Sequence, residues 1–286
     1  MRHLRPWKRS FFWLSVTAFL ITLILFGIYS LRYNQQLRQA QSQYRSLQKK
    51  AIQRSPPQTI SKKQNYSKKK YQKRTVTIPN IDFPLLWKYN SDIYAWIMIP
   101  DTNVSYPILQ HSKYDTYYLN HNLNGSTGYP GCIFSKKQSK KDFTDALLIL
   151  YGHNMRNGTM FGALRQLDKS DFVKKVYFIY IITPTSKILY RIRSSAVWCN
   201  KDILYTFSNT PDSIYHFVRA IDLHGTSQSR ILLLDASKDK KSQWLVLSTC
   251  GSDSKTRFAY FNAKRFIFNP SYETCRNVFI SKSSNR

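Results

Sequence analysis

The sequence predicts a mainly β protein: a closed barrel with peripheral helices, preceded by an N-terminal transmembrane helix. Three observations carry this expectation. Short apolar runs recur between Ile97 and Phe268, separated by polar turns, which is the pattern of many short strands. Few segments show helical spacing, and many strands with few helices favour a barrel over an open sheet. Phe11–Leu31 is a 21-residue stretch without a charged side chain, long enough to cross a bilayer.

Charge divides the chain. The 286 residues include 44 Lys and Arg against 15 Asp and Glu, a net charge of +29. Residues 1–81 hold 17 of the basic residues and no acid; the first acid is Asp82. Residues 82–286 carry 27 basic against 15 acidic residues, a net +12. The extreme charge therefore lies beside the apolar span. That placement suits anionic lipid or wall polymer as neighbour. Nucleic acid, the other usual partner of such charge, is not expected beside a membrane anchor.

The order of segments follows. Residues 1–10 form a basic cytoplasmic tail and 11–31 a single-pass signal-anchor, with no A-x-A-like cleavage site in view. Arg2, Arg5, Lys8 and Arg9 favour a cytoplasmic N-terminus, although Arg32 and Arg38 follow the span closely. The bulk of the chain is expected outside the cell. Residues 32–77 read as a basic stalk, partly helical over Gln35–Gln53 and disordered over Ser55–Arg74, where Pro56 and Pro57 fall. A folded domain is expected over 78–269 and a tail over 270–286. Removing residues 1–77 is expected to leave that domain soluble.

Within the domain, Leu85, Leu86, Tyr89, Ile93 and Trp96 recur at three- and four-residue spacing, predicting a helix over Phe83–Ile97. Ile97–Pro100 and Val104–Leu109 read as strands around Asp101–Asn103. Tyr114–Leu119 reads as a loop or short helix beside a substrate groove. Gly128–Phe134 and Ala146–Tyr151 read as strands flanking the basic loop Lys136–Lys141. Thr159–Leu167 reads as a short helix, and Val176–Thr183 with Lys187–Arg193 as a strand pair. Thr210 is a candidate N-cap, Pro211 suits the first helical position, and Ile214, Phe217, Val218 and Ile221 form an apolar stripe.

The candidate chemistry lies in Trp244–Arg257, WLVLSTCGSDSKTR. Trp244–Leu247 reads as a buried strand that ends in small residues, which places Cys250 at a strand mouth. There a thiolate can attack a carbonyl and form a thioester; the alternative is a buried core cysteine. A thiol nucleophile needs a proton-transfer partner. His153 stands after a second apolar strand, in LLILYGHNM, while His3, His111, His121, His216 and His224 occupy less apt settings. Arg257 opens the strand Arg257–Phe268, which returns towards Cys250 if Gly251–Thr256 is a hairpin connection. A fixed cation there stabilises an oxyanion; Arg265 is the alternative. The residues beside these, Tyr151, Asn154, Ser248 and Thr249, are the candidate substrate contacts. None of the four cysteines, Cys132, Cys199, Cys250 and Cys275, forms a CxxC pair, so neither a zinc site nor a dithiol centre is expected. The expectation is no metal and no organic cofactor.

YGHN after one strand, LSTC at the end of a later strand and Arg257 beyond it resemble the sortases, cysteine transpeptidases of Gram-positive cell surfaces. The long interval between His153 and Cys250, the run NGTMFGAL and the start DIYAWIMIPDTNVSYPIL are similar to class B sortases, which carry an extra helix before the Cys strand. The resemblance covers Ile81 to Phe268 and implies an eight-stranded barrel. It implies that Cys250 is the nucleophile, His153 the acid and base, and Arg257 the oxyanion partner. The implied partners are secreted proteins with an NPxTx-like C-terminal sorting signal and an amine on a peptidoglycan precursor or pilin. A membrane-anchored peptidase using water, and a non-catalytic wall- or lipid-binding surface protein, are the competing readings. The tail beyond Phe268, with Cys275, lies outside the resemblance.

Overall fold

The computed structural model describes residues 6–53, 78–168, 178–199, 207, 210–224, 242–250 and 256–268. The expected disordered stalk segment, the connection at 251–255 and the tail at 270–286 lie outside these residues. The chain divides into two compact units, 1–45 and 46–286.

Helix α1 (Pro6–Ala51) is 46 residues long, about 69 Å at 1.5 Å per residue. Beyond Ser10 it is apolar all round: Phe11, Phe12, Trp13 and Leu14 follow one another and are all exposed. Its most apolar window has a mean hydropathy of 2.4 and no buried residue, long and apolar enough to cross a membrane. The hydroxyls of Ser15, Thr17 and Thr22 donate to the carbonyls of Phe12, Leu14 and Phe19. In hydrocarbon these polar groups would otherwise lack a partner. The segment expected to be partly helical, Gln35–Gln53, is helical as far as Ala51.

The last turns of α1 belong to the second unit. Leu47 and Ala51 are buried there. Gln48 Nε2 donates to the Ser105 carbonyl, and Asp82 N–H donates to the Ala51 carbonyl at 2.9 Å. Strand β1 (Ile52–Gln53) pairs antiparallel with β2 (Asn80–Ile81). Helix α2 (Phe83–Tyr89) follows, capped by Asp82, whose carboxylate accepts from Leu85 N–H at 3.0 Å. Asn90 ends it and turns the chain, its side-chain oxygen accepting from Asp92 N–H at 2.9 Å.

Here the expected helix over Phe83–Ile97 is corrected. It stops at Tyr89, and Ile93–Met98 is strand β3. Five successive residues, Ile93 to Ile97, are buried. A strand covered on both faces can bury such a run, whereas a one-sided surface helix cannot.

Around β3 the sheet assembles from β4 (Ser105–Leu109), β5 (Ile133–Phe134), β6 (Leu147–Tyr151), β7 (Phe178–Ile182), β8 (Lys187–Cys199), β9 (Trp244–Cys250) and β10 (Thr256–Phe268). The order around the ring is β10-β8-β7-β3-β4-β5-β6-β9, with β9 paired to β10. The expected closed eight-stranded barrel is corrected in its closure. Seven strands of five to thirteen residues make a curled sheet, and the eighth place is held by the two-residue β5. It meets β4 through two residue pairs and β6 through one, Phe134↔Tyr151. So short a bridge spans the gap between two sheet edges without forming a full wall. The strand expected over Gly128–Phe134 shrinks to β5 because Gly128, Pro130 and Gly131 precede it in a looped backbone.

Strands β6 and β9 are parallel, in register from Leu147↔Trp244 to Tyr151↔Ser248. Parallel neighbours need a crossover, and helix α3 (Pro211–His224) lies within it. Thr210 caps α3 as expected, its hydroxyl accepting from Ser213 N–H at 3.3 Å. Ile214, Phe217 and Val218 pack on Leu147, Ile149, Trp244 and Val246. The alternate residues Leu148, Leu150, Leu245 and Leu247 are buried on the other face. Both faces of this strand pair are thus covered, which is why the two sequences read as unbroken apolar runs.

The docking of residues 46–53 yields a prediction. A chain beginning at residue 78 loses the burial of Leu47 and Ala51 and the β1–β2 pairing, so it should be less stable than a chain beginning at residue 46. Full burial of one leucine is worth about 2 kcal/mol, so the thermal midpoint should fall by several degrees, measured by calorimetry on the two chains. Equal midpoints would mean that these residues stabilise nothing.

Candidate active site

The parallel register decides where the candidate residues stand. Tyr151 pairs with Ser248, and two residues further along each strand come His153 and Cys250. The two chain ends stay together past the last ladder pair. Gly152 N–H donates to the Ser248 carbonyl at 3.2 Å, and the Thr249 hydroxyl donates to the Gly152 carbonyl at 2.7 Å. Asn154 Nδ2 donates to the Cys250 carbonyl at 2.9 Å. Gly152 is required by close approach: a Cβ there would lie 2.4 Å from Ile133 Cδ1 and 2.9 Å from the Phe161 ring.

Cys250 is a free, exposed thiol at the end of β9. Cys132 differs: it is buried, and its thiol donates to the His121 carbonyl at 3.5 Å. On β10, Arg257 pairs in register with Cys250. Arg265 falls in the register shift between Lys264 and Phe266, eight residues along the same strand. The side chains of both arginines lie outside the described residues.

His153 is half-buried and held from one side. Its Nε2 donates to the Leu119 carbonyl at 2.7 Å, because a carbonyl can only accept. The exposed ring of Tyr129 tilts against the imidazole at a centroid distance of 4.7 Å. Leu119 ends a 3₁₀ turn, Tyr117–Leu119, anchored by Tyr118. The Tyr118 hydroxyl donates to Asp92 at 2.7 Å and receives the Asn90 amide at 3.2 Å. Burial first, then the bond to Asp92, raises the Tyr118 pKa far above the usual phenol range, so this donor stays protonated. The Tyr118 carbonyl accepts from Cys132 N–H at 2.9 Å, which ties the turn to the loop carrying Tyr129. Gly131 makes that contact possible. Its φ is +62°, and a Cβ would stand 2.6 Å from the carbonyl oxygens of both Tyr118 and Leu119.

The loop after His153 is also fixed. Phe161 N–H donates to the His153 carbonyl at 3.0 Å, Asn154 bridges to Met160, and the Arg165 guanidinium donates to the Met155 carbonyl at 2.8 Å. The helix expected over Thr159–Leu167 is the 3₁₀ helix Phe161–Asp168.

Of the four candidate substrate contacts, Tyr151 is half-buried, its ring stacked on Phe134 at 5.5 Å with the Lys136 ammonium 5.6 Å from its centroid. Ser248 and Thr249 are each 2% exposed and lie in the sheet. Asn154 faces the Cys250 main chain. Elsewhere, His111 and His121 stack on Tyr117 at 4.2 and 3.8 Å, and His216 and His224 lie on α3, with His216 exposed. No group of three or more His, Cys, Asp or Glu among the described residues is placed to hold a metal ion. The sequence reading of Tyr114–Leu119 as a loop or short helix beside a substrate groove did not single out the Leu119 carbonyl, nor Tyr129 or Gly131. The only local signal was the glycine-proline-glycine loop, because a main-chain carbonyl carries no side-chain signature.

A family model described as the Sortase domain matches residues 97–269. Sortase B of Listeria monocytogenes is 33% identical over 170 residues, covering 59% of this chain and 66% of that protein. Sortase B of Staphylococcus aureus is 29% identical over 170 residues, covering 59% and 67%. The matched region thus spans about two thirds of these relatives. Clostridium perfringens sortase B shares the fold, with a TM-score of 0.56 at 22% identity over 65% of this chain and 100% of that one. A Streptococcus pyogenes class B sortase involved in pilus biogenesis has a TM-score of 0.53 at 26% identity over 64% and 97%.

Gly131→Ala tests the support of His153. A non-glycine residue at such a φ costs about 1–3 kcal/mol, and the methyl must push the Leu119 carbonyl away. The thermal midpoint should fall, and the imidazole Nε2–H resonance of His153, expected in proton NMR spectra of the parent protein, should be lost. Retention of that resonance would show that Gly131 does not govern the contact.

Proposed function

Because the chain belongs to the sortase family, whose members are cysteine transpeptidases, we propose that it cleaves a C-terminal sorting signal and transfers the acyl part to a cell-surface amine. The observation that carries this reading is the in-register parallel pairing of β6 and β9, which brings the ends bearing His153 and Cys250 side by side, with Arg257 opposite Cys250 on β10.

In this mechanism the Cys250 thiolate attacks the scissile carbonyl and a tetrahedral intermediate forms. Arg257 stabilises its oxyanion. Collapse breaks the C–N bond, His153 gives a proton to the leaving amine, and an acyl thioester remains on Cys250. His153 then takes a proton from the incoming amine as that amine attacks the thioester, and Cys250 is released. With Nε2–H held by Leu119, proton exchange falls to Nδ1. Tyr151 and Asn154 border the bound peptide, and Ser248 and Thr249 keep the frame. The resemblance to class B sortases implies an NPxTx-like signal, and the proposed amine is that of a peptidoglycan precursor or a pilin. Helix α1 anchors the protein in the membrane, with the catalytic domain outside.

The chain incubated with an NPxTx peptide and triglycine should give a joined peptide; hydrolysis alone would make it a peptidase. Intact-protein mass should show the thioester, and Cys250→Ala should abolish it. His153→Ala should nearly abolish transfer with the fold kept, and its effect should not add to that of Cys250→Ala. Arg257→Ala should lower kcat by about 100- to 1000-fold, whereas Arg265→Ala should not. A covalent adduct on Cys250→Ala would overturn the assignment.

A further inference from the structure

The backbone ladder between β6 and β9 stops short of the thiol. Its last pair is Tyr151↔Ser248, and the Gly152 N–H bond to the Ser248 carbonyl is the final main-chain link described. Cys250 lies two residues further on, exposed, and is paired on its other side with Arg257 of β10. On the β6 side, the Asn154 side chain takes over where the ladder ends, with Nδ2 donating to the Cys250 carbonyl at 2.9 Å.

The orientation of that amide is forced. Exchanging its oxygen and nitrogen would set two acceptors 2.9 Å apart. Oδ1 therefore points away from Cys250. It is buried and has no hydrogen-bond partner among the described residues. A buried acceptor without a partner opposes folding, and an apolar side chain would not incur that cost. The amide thus sits at the nucleophile with one half bonded and the other half orphaned. The bond to the Cys250 carbonyl is offset by the orphaned Oδ1, so the amide gains little in stability.

We propose that Asn154 is a positioning residue: it holds the main chain of Cys250 so that the thiol stays beside His153 and Arg257. The proposal rests on the reading of Cys250 as the nucleophile, and it makes Asn154 more than a substrate contact. Its own base is firm, since Asn154 bridges to Met160 and Phe161 N–H holds the His153 carbonyl. Asn154 thereby transmits the rigid loop after His153 to the end of β9. Releasing it frees the Cys250 main chain on the β6 side, and a displacement of about 1 Å at a reacting group can cost about 100-fold in rate.

The test uses the full chain in detergent with Asn154→Leu, Asn154→Ala and Asn154→Asp. Three quantities are read: thermal midpoint, kcat and KM for a sorting peptide, and the rate of Cys250 alkylation by iodoacetamide against pH, located by peptide mapping. Asn154→Leu and Asn154→Ala should keep or raise the midpoint, keep KM within about twofold, and lower kcat and alkylation by about 10- to 100-fold. Asn154→Asp preserves size but turns a carboxylate towards a carbonyl. Its alkylation rate relative to the parent should be lowest at neutral pH and rise as pH falls, because the protonated carboxyl regains a donor.

A raised KM with unchanged kcat and alkylation would make Asn154 only a substrate contact and overturn the proposal. A lowered midpoint with both rates unchanged would reduce it to a structural role. If midpoint and rates fall together, the pH dependence of the Asp variant decides: a flat ratio overturns the proposal and a rising one upholds it. Alkylation needs no sorting peptide, so a parent protein that alkylates at Cys250 but forms no acyl-enzyme would defeat the transpeptidase reading and leave this comparison intact.

Discussion

The parallel pairing of β6 with β9 is the constraint on which the candidate site depends. Residues 97 positions apart come level because Leu147 meets Trp244 and the register holds without a shift to Tyr151 and Ser248. A slip of one residue would turn every side chain of one strand to the opposite face. It would expose Leu147, Ile149, Trp244 and Val246 to the wrong layer and separate His153 from the level of Cys250. The register is protected by burial on both faces. Helix α3 covers one face through Ile214, Phe217 and Val218, and Leu148, Leu150, Leu245 and Leu247 fill the other. A helix that carries no chemistry therefore keeps the two chemical strand ends level.

A second layer of order begins where the ladder ends. Past Tyr151 and Ser248, single polar contacts replace the sheet: Thr249 to Gly152, Asn154 to Cys250, and His153 to Leu119. The Leu119 contact depends in turn on Tyr118, which is held by Asp92 and Asn90 from the segment between α2 and β3. Gly131 is needed because a side chain would occupy the space of two carbonyl oxygens. Beyond the β6–β9 ladder the Cys250 thiol is exposed, while short, specific contacts fix the main chain around it and around His153.

The remainder of the chain fits the same scheme. Apolar residues surround the N-terminal part of α1, while Leu47, Gln48 and Ala51 near its end are folded into the second unit. The segment between the apolar stretch of α1 and Asp82 contains no acidic residue, so its basic charge is not offset locally. The short β5 leaves the curled sheet joined by three residue pairs near Tyr151. The sheet is thus thinly hydrogen-bonded close to the candidate site.

Several features were legible from residues alone because their causes are local. Thr210, Pro211 and the stripe at 214, 217 and 218 specify α3 within a few turns of chain. LLILY and WLVLSTC announce buried strands through unbroken apolar runs. The order of YGHN, LSTC and Arg257 carried the family resemblance that the match over 97–269 bears out. The helix expected over Phe83–Ile97 went wrong because its apolar spacing fits a helix as well as a doubly covered strand, and only the turn at Asn90 separates the two. The tertiary structure alone decided the register of β6 on β9, the near-open closure at β5, the Leu119 carbonyl on His153 and the Asn154 bond to Cys250, which joins residues 96 apart. Local sequence sets the conformation of neighbours along the chain, but contacts between distant segments, and those made by main-chain atoms, arise only once the sheet has closed around its core.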